Sequence, residues 1–167
     1  MFLNMLNALY KKALVKNKFR ERLIQQGILT NARIVLPEIH DSRVVDAKRE
    51  LLQMGFNIVE MDNSSESITA LKKSISTLKF TNNWTDEQLH IFIQNPLNMG
   101  MALVADGLAD GLVAGAVTST SDVIRTAIRM VGVKPTSKWV SSIFFMVSPD
   151  GEESFTSAIG AEAILEI

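Results

Sequence analysis

The chain has 167 residues, of which 47% are hydrophobic, with a formal net charge of -1 and no cysteine. This length and composition are typical of one compact domain with a substantial core. The balanced charge gives no electrostatic footprint for nucleic acid, and the missing thiols exclude a disulfide framework and a thiolate metal site. The two histidines, His40 and His90, lie far apart without ligand spacing, so we expect no metal.

No apolar run is long enough to span a bilayer. The best candidates, residues 112–117 and 143–147, have the length of strands. At the N-terminus the positive charges follow the first apolar residues, which is the reverse of the order in a signal peptide. We therefore expect a soluble, cytoplasmic protein with no membrane span.

The first segment is predicted to be an N-terminal helix, taken as residues 1–30 and separate from an α/β domain of residues 31–167. Apolar residues recur at helical spacing over residues 1–26, opposite a basic face, and Gly27 is predicted to end the helix. We interpret the basic face as the solvated side of a packed helix. The alternative is that it is a surface that binds a membrane or a partner.

A strand, helix and strand follow. Within residues 32–38, residues 34–36 predict a buried strand that Pro37 ends, and Asp41 or Ser42 is expected to cap a helix that ends near Met54. Residues 57–61 predict the second strand. Such a unit favours parallel pairing with a right-handed crossover.

Three helices are predicted in the middle of the chain. The first covers residues 67–78, and the second begins at Thr85 or Asp86 and ends at residue 93. The third has Asn95 as its cap and Pro96 at its first position, and it runs to about residue 106.

The last third returns to the alternating pattern. Residues 109–117 predict a turn and a buried strand, residues 118–122 a hydroxyl-rich loop, and residues 123–131 a helix. Residues 140–147 predict another strand, ended by a turn at residues 148–151. The fold class predicted from this alternation is α/β, with three α/β/α layers and a mostly parallel, doubly wound sheet.

The segment of residues 113–129 is the strongest candidate for a binding site. Ligands of open α/β sheets bind at the carboxyl ends of strands, and a helix N-terminus there presents amides to an anion. Arg125 could fork onto phosphate oxygens. The loop adds four hydroxyl donors: Thr118, Ser119, Thr120 and Ser121. The alternative is that the hydroxyls only cap the helix and that Arg125 is solvated, and the residue types alone leave both open.

A second candidate site follows the first predicted strand. Glu38, His40 and Asp41 could act as acid or base there, and Arg43 could hold an anion. The alternative, which we favour, is that Asp41 and Ser42 cap the helix while Glu38 pairs with Arg43 on the surface. No nucleophile, base and orienting group form a set, so no catalytic residue is assigned.

Five segments of the chain form a recognisable series. They are residues 34–38 with Asp41 and Arg43, residues 95–96, residues 107–116, residues 118–127, and residues 140–147 with residues 149–150. In this order they resemble the phosphate acetyl/butyryl transferase family. The resemblance covers nearly the whole chain after the first helix, and its most specific part runs from Ala109 to Arg125.

The resemblance implies two α/β domains with a cleft between them, a homodimer, and neither a metal nor another cofactor. It implies that acetyl-CoA and phosphate are converted to acetyl phosphate and free coenzyme A, and the reverse, with coenzyme A as a co-substrate. It also implies that Arg125 binds phosphate with Ser119, Thr120 and Ser121 nearby. Glu38 and Arg43 are further candidates.

The chain departs from the family pattern in several places. Thr126 stands where the family usually has proline, and Thr118 where it often has histidine or serine. Residues 80–95 contain no arginine, although a second anion-binding arginine normally precedes the Asn-Pro helix. The family's later serine, arginine and aspartate cluster lies beyond Ile167.

From these departures we expect a chain truncated at its C-terminal end, incomplete relative to the two-domain fold and inactive alone. The alternative is a non-catalytic module that binds acyl-CoA or a similar metabolite, or a degenerate relative of the family.

Overall fold

The structure is a computed structural model that describes residues 18–137, 143–147 and 154–158. Residues 31–134 form one compact unit, and the described residues on either side of them belong to a second. The assignment of residues 31–167 to a single domain stays a prediction. None of the helices in these ranges is both long and apolar enough to cross a membrane.

The second unit contains helix α1 (Lys18–Thr30), which corrects one predicted boundary. The helix continues through Gly27 and ends three residues later. The Thr30 hydroxyl donates to the Gly27 carbonyl at 2.9 Å, and Asn31 takes the left-handed conformation (φ 50°) that was expected at Gly27. Residues 1–17 of the predicted first helix lie outside the described residues.

The unit of residues 31–134 alternates short strands with helices. In chain order the elements are β1 (Arg33–Val35), α2 (Ser42–Met54), β2 (Asn57–Val59), α3 (Ser65–Ile75), a short 3-10 helix (Lys79–Thr81), α4 (Asp86–Ile93), α5 (Pro96–Ala105), β3 (Gly111–Leu112) and α6 (Thr120–Met130). β1 is the central strand and pairs in parallel with β2 on one side and β3 on the other. This order confirms the predicted α/β fold, with the change of winding direction that is typical of doubly wound sheets.

Side-chain caps set most of the helix starts where the sequence predicts them. Asp41 caps α2, and Thr85 forms a capping box with Gln88 at the start of α4. Asn95 accepts hydrogen bonds from two amides of the first turn of α5, where Pro96 is the first residue. The first helix of the middle region begins earlier than predicted, because Ser64 caps α3.

The strand predicted after the turn within residues 109–117 is shorter than expected. Only Gly111 and Leu112 pair with β1 as a strand, and the Val113 amide adds one more bond to the Val35 carbonyl at 3.0 Å. The chain then turns at Gly115, whose φ of 117° is strained for other residues. The predicted loop of residues 118–122 is also shorter, because Ser119 caps α6 and the helix begins at Thr120.

Two further strands, β4 (Ile143–Val147) and β5 (Ser154–Ala158), form an antiparallel pair. β4 confirms a predicted strand, whereas β5 and the pairing were not predicted. The connection of residues 148–153 is too short for the crossover that parallel strands need. Residues 140–142 of the predicted strand and the predicted turn at residues 148–151 lie outside the described residues.

Helix α5 packs tightly against the sheet of residues 31–134. Its residues from Met99 to Val104 are all buried. Gly100 makes this approach feasible, since a Cβ atom there would lie 2.7 Å from Leu112 Cδ1 and 3.1 Å from Val35 Cγ1. A side chain at this position would therefore push the helix away from both β1 and β3.

We predict that Gly100→Ala lowers the free energy of unfolding by about 1–3 kcal/mol, because the methyl group overpacks the helix–sheet contact. Urea unfolding of the wild type and the variant measures the change. The same substitution in a Leu112→Ala background should be less harmful, since the nearest atom is gone. Stabilisation by Gly100→Ala, the usual result in a helix interior with free space, would contradict the close packing.

Candidate functional site

A pocket of about 190 Å³ lies at the carboxyl end of β1. Three segments form it: the loop after β1, the start of α5 and the loop before α6. The lining residues are Pro37, Glu38, His40, Asp41, Asn95, Pro96, Leu97, Val117 and Thr118. Open α/β sheets bind their ligands at this edge, so the pocket is the candidate site.

The carboxylate of Glu38 accepts hydrogen bonds from four consecutive backbone amides. The donors are Gly115 (3.0 Å) and Ala116 (2.8 Å) to Oε2, and Val117 (2.9 Å) and Thr118 (2.7 Å) to Oε1. We call residues 115–118 the amide loop. Both oxygens of Glu38 are thus bound to the main chain of a segment that lies about 80 residues further along the sequence.

These bonds fix the charge state of Glu38. Partial desolvation raises the pKa of this carboxyl group, but the amides of Thr118, Val117 and Ala116 outweigh it, with a smaller contribution from the Thr118 hydroxyl, and lower the pKa to about 2. Glu38 is therefore ionised at neutral pH. With its oxygens occupied by amides, it does not have the free acceptor that a general base needs.

The predicted surface pair between Glu38 and Arg43 is wrong. Arg43 instead donates from Nε and Nη2 to the two carboxylate oxygens of Asp41, at 2.9 and 2.8 Å. Its Nη2 also donates to the Ala116 carbonyl at 2.7 Å. The side-chain hydrogen bond from Arg43 is the main reason that the pKa of Asp41 falls to about 2.

Of the two residues expected to cap α2, Asp41 does so and Ser42 does not. Asp41 Oδ1 accepts from the Arg43 amide at 2.9 Å, whereas Ser42 is the first residue of the helix and not a cap. His40 is exposed on the same loop. Among residues 20–137, whose side chains are described, no three histidine, aspartate or glutamate residues are grouped so as to hold a metal ion.

The N-terminus of α6 is occupied by a carboxylate of the chain itself. Ser119 Oγ accepts from the Asp122 amide at 3.2 Å and donates to Asp122 Oδ2 at 2.7 Å. Ser121 Oγ lies 2.9 Å from Ser119 Oγ, and Arg125 Nη1 donates to Asp122 Oδ1 at 3.0 Å. Asp122 thus takes the place at the positive end of the helix that an anion would favour.

The structure separates the residues that the sequence grouped into one site. Thr118 and Glu38 line the pocket, whereas four of the predicted phosphate-binding residues do not. These four, all exposed on the first turns of α6 or at its cap, are Ser119, Thr120, Ser121 and Arg125.

Sequence reasoning missed a second link between β1 and β3. Asp110 accepts from the Arg33 amide at 2.8 Å, from Arg33 Nε at 3.0 Å and from Arg33 Nη2 at 2.7 Å. The Asp110 amide donates back to the Arg33 carbonyl at 2.7 Å. This exchange fixes where β3 enters the sheet, and the hydrogen bonds from Arg33 lower the pKa of Asp110 to about 2. An arginine at the first position of β1 is the only local sign of it.

Comparison with known proteins identifies relatives along most of the chain. The family described as phosphate acetyl/butaryl transferase matches residues 55–159. A phosphate acetyltransferase of Acetivibrio thermocellus is 30% identical, over 80% of this chain and 47% of the relative. One of Staphylococcus aureus is 32% identical, over 75% of this chain and 45% of the relative. The chain thus spans about half the length of these two relatives.

Solved structures give the same picture for the fold. A phosphotransacetylase from Streptococcus pyogenes superposes with a TM-score of 0.69 at 24% identity, covering 83% of this chain and 49% of that one. The EutD phosphotransacetylase from Staphylococcus aureus superposes with a TM-score of 0.61 at 27% identity, covering 80% of this chain and 47% of that one.

We predict that Glu38→Gln destabilises the protein in a pH-dependent way. Above about pH 4.5 the wild type should be more stable by about 1–2 kcal/mol, a value reduced for solvent exposure, because glutamine presents an NH₂ donor to amide donors. The pKa of Glu38 is lowered from 4.5 to about 2 on folding, so its stabilisation is lost as the pH falls from the first value through the second.

Urea unfolding at a series of pH values measures this difference between wild type and variant. Asp41 and Asp110 titrate in the same range, but both are present in the two proteins and cancel in the difference. A difference that stays constant between pH 7 and pH 3 would show that Glu38 does not carry the effect.

Proposed function

The chain belongs to the phosphate acetyl/butaryl transferase family, and on that premise we propose that it is the phosphate-binding part of an acyltransferase. The reaction moves an acetyl or other short acyl group between phosphate and coenzyme A. The single observation that carries the proposal is the amide loop, which Glu38 holds at the carboxyl edge of the sheet and which leads directly into the N-terminus of α6.

The chemistry needs an anion site of this kind. In one direction the thiolate of coenzyme A attacks the acyl carbon of acetyl phosphate, and the bond from that carbon to the phosphate oxygen breaks. Phosphate then leaves with the electron pair. A group that binds phosphate must hold this growing charge, and a guanidinium beside a helix N-terminus suits it. We assign this role to Arg125, with the hydroxyls of Ser119, Thr120 and Ser121 and, from the pocket side, Thr118.

The ion pair between Arg125 and Asp122 is compatible with this role. Both side chains are more than half exposed, at 57% and 53%. Exposed pairs of this kind contribute at most about 1 kcal/mol, so a phosphate dianion can compete with Asp122 for the guanidinium. Asp122 then acts as the partner that keeps Arg125 extended along the helix until the substrate binds.

The proposed substrates are acetyl-CoA and phosphate, with coenzyme A as co-substrate and no separate cofactor. The groups that bind coenzyme A belong, by this proposal, to a part of the enzyme beyond the residues of this chain. The homodimer stays a prediction from the resemblance, and the cytoplasmic location stays a prediction from the sequence.

A second candidate function is a non-catalytic module that binds acyl-CoA or a similar metabolite. It is favoured by residues 80–95, which lead into the pocket wall at α5 and contain no arginine to share the phosphate charge. Binding of acetyl-CoA without phosphate-dependent turnover would distinguish it from the acyltransferase.

The test of the proposed function is release of free thiol from acetyl-CoA on addition of phosphate. It is measured on this chain and on a form extended through any downstream coding sequence. We expect phosphate-dependent release in the extended form. Arg125→Ala should lower kcat/KM for phosphate about 100- to 1000-fold, the cost of removing one group that holds transition-state charge.

The matched control is Arg129→Ala, which removes another exposed arginine one turn further along α6. It should leave turnover within about twofold, because its backbone lies about 6 Å further from the N-terminus of α6, where the phosphate is proposed to bind, than that of Arg125. Equal losses in the two variants would contradict a specific role for Arg125. No release from any form would refute the acyltransferase function.

A further inference from the structure

We propose that Glu38 is a positioning residue for phosphate. Its carboxylate fixes the amide loop and thereby places Thr118 and the start of α6 beside the pocket. The inference rests on the proposed function, because it concerns the same site. The negative charge of Glu38 suggests that it opposes phosphate binding, whereas the inference is that Glu38 supports it.

The amide loop has little apart from Glu38 and Arg43 to hold it. The Val117 side chain is 71% exposed, and Gly115 and Ala116 are exposed as well, so apolar packing does not define the conformation. Successive amides that converge on one point form a concave anion site. In this loop the anion is supplied by the protein itself, through Glu38.

Arg43 fixes the loop from its other side. The Arg43 Nη2 donates to the Ala116 carbonyl at 2.7 Å, while the Ala116 amide donates to Glu38 at 2.8 Å. Asp41 holds the Arg43 guanidinium through two bonds. The N–H groups and a carbonyl of the loop are thus bound by two side chains that both follow β1, so the loop is positioned by the central strand.

The consequence reaches the proposed phosphate site through the chain itself. Thr118 donates to Glu38, and the next residue, Ser119, is the cap of α6. A shift of the loop therefore moves the start of the helix and the Thr118 hydroxyl together. Misplacement of a binding group by about 1 Å can cost 100-fold in activity.

Electrostatics and positioning predict opposite results, which makes the inference testable. Glu38 lies at the pocket and is ionised, so its charge alone repels a phosphate dianion. If repulsion dominates, Glu38→Gln tightens phosphate binding. If positioning dominates, the same substitution weakens it, because two loop amides lose their acceptor and the loop moves.

The experiment is a titration of the full 167-residue chain with inorganic phosphate, monitored by NMR through the backbone amides from Thr118 to Asp122. We expect Glu38→Gln to raise the dissociation constant about 10- to 100-fold. The matched control is Asp62→Asn, which removes the charge of a carboxylate that accepts three hydrogen bonds just before α3 and does not line this pocket. It should lower stability but change the dissociation constant by no more than about twofold.

The outcomes separate the two claims. If the wild type binds no phosphate, the proposed function fails together with this inference. If the wild type binds phosphate and Glu38→Gln binds it equally or more tightly, only the positioning role is overturned. An equal weakening in Asp62→Asn would also overturn it, since general destabilisation would explain both. Should Glu38→Gln not fold, Glu38→Asp keeps the charge but withdraws it by one methylene, and the same weakening is expected.

Discussion

The binding of one carboxylate by four consecutive amides is the interaction on which the candidate site depends. Glu38 follows the central strand, and its partners lie 77 to 80 positions later in the chain. The contact can form only when β1, β3 and the helices between them have assembled. After Val113 the chain no longer forms strand hydrogen bonds with β1. The carboxylate of Glu38 accepts from the next amides instead, so β3 can be short although these four amides stay bound.

Two other contacts prepare the geometry that Glu38 completes. The Arg33–Asp110 exchange sets the register with which β3 enters the sheet. The missing side chain at Gly100 lets α5 lie directly on β1 and β3, and this brings the capped end of the helix, at Asn95, to the same pocket as Thr118. The close packing of α5, the fixed start of β3 and the binding of the amide loop by Glu38 therefore place three separate segments around one cavity.

The sequence predicts what is local and misses what depends on distant partners. The starts of α2, α4 and α5 were predictable, because a cap residue and the amides it binds lie within three positions of each other. The length of β3 was not, since residues 113–117 are apolar enough for a strand, and only the bonds from the amides of residues 115–118 to Glu38 end the pairing with β1. The same distance hid the amides that bind Glu38 and the Ala116 carbonyl that accepts from Arg43. A phosphate-binding role for Arg125 was suggested both by its place in the first turns of a helix and by the resemblance, and it stays a proposal, whereas its pairing with Asp122 became visible only once the helix start was known.

The most direct test of this account is the titration of the Glu38 side-chain carboxyl carbon by NMR, assigned by its absence from the spectrum of Glu38→Gln. A carboxylate bound by four amides should keep its charge in acid, with a pKa of about 2 and no titration step above pH 3. A midpoint near pH 4.5, the ordinary value for this group, would mean that the amide loop is not held by Glu38 in solution.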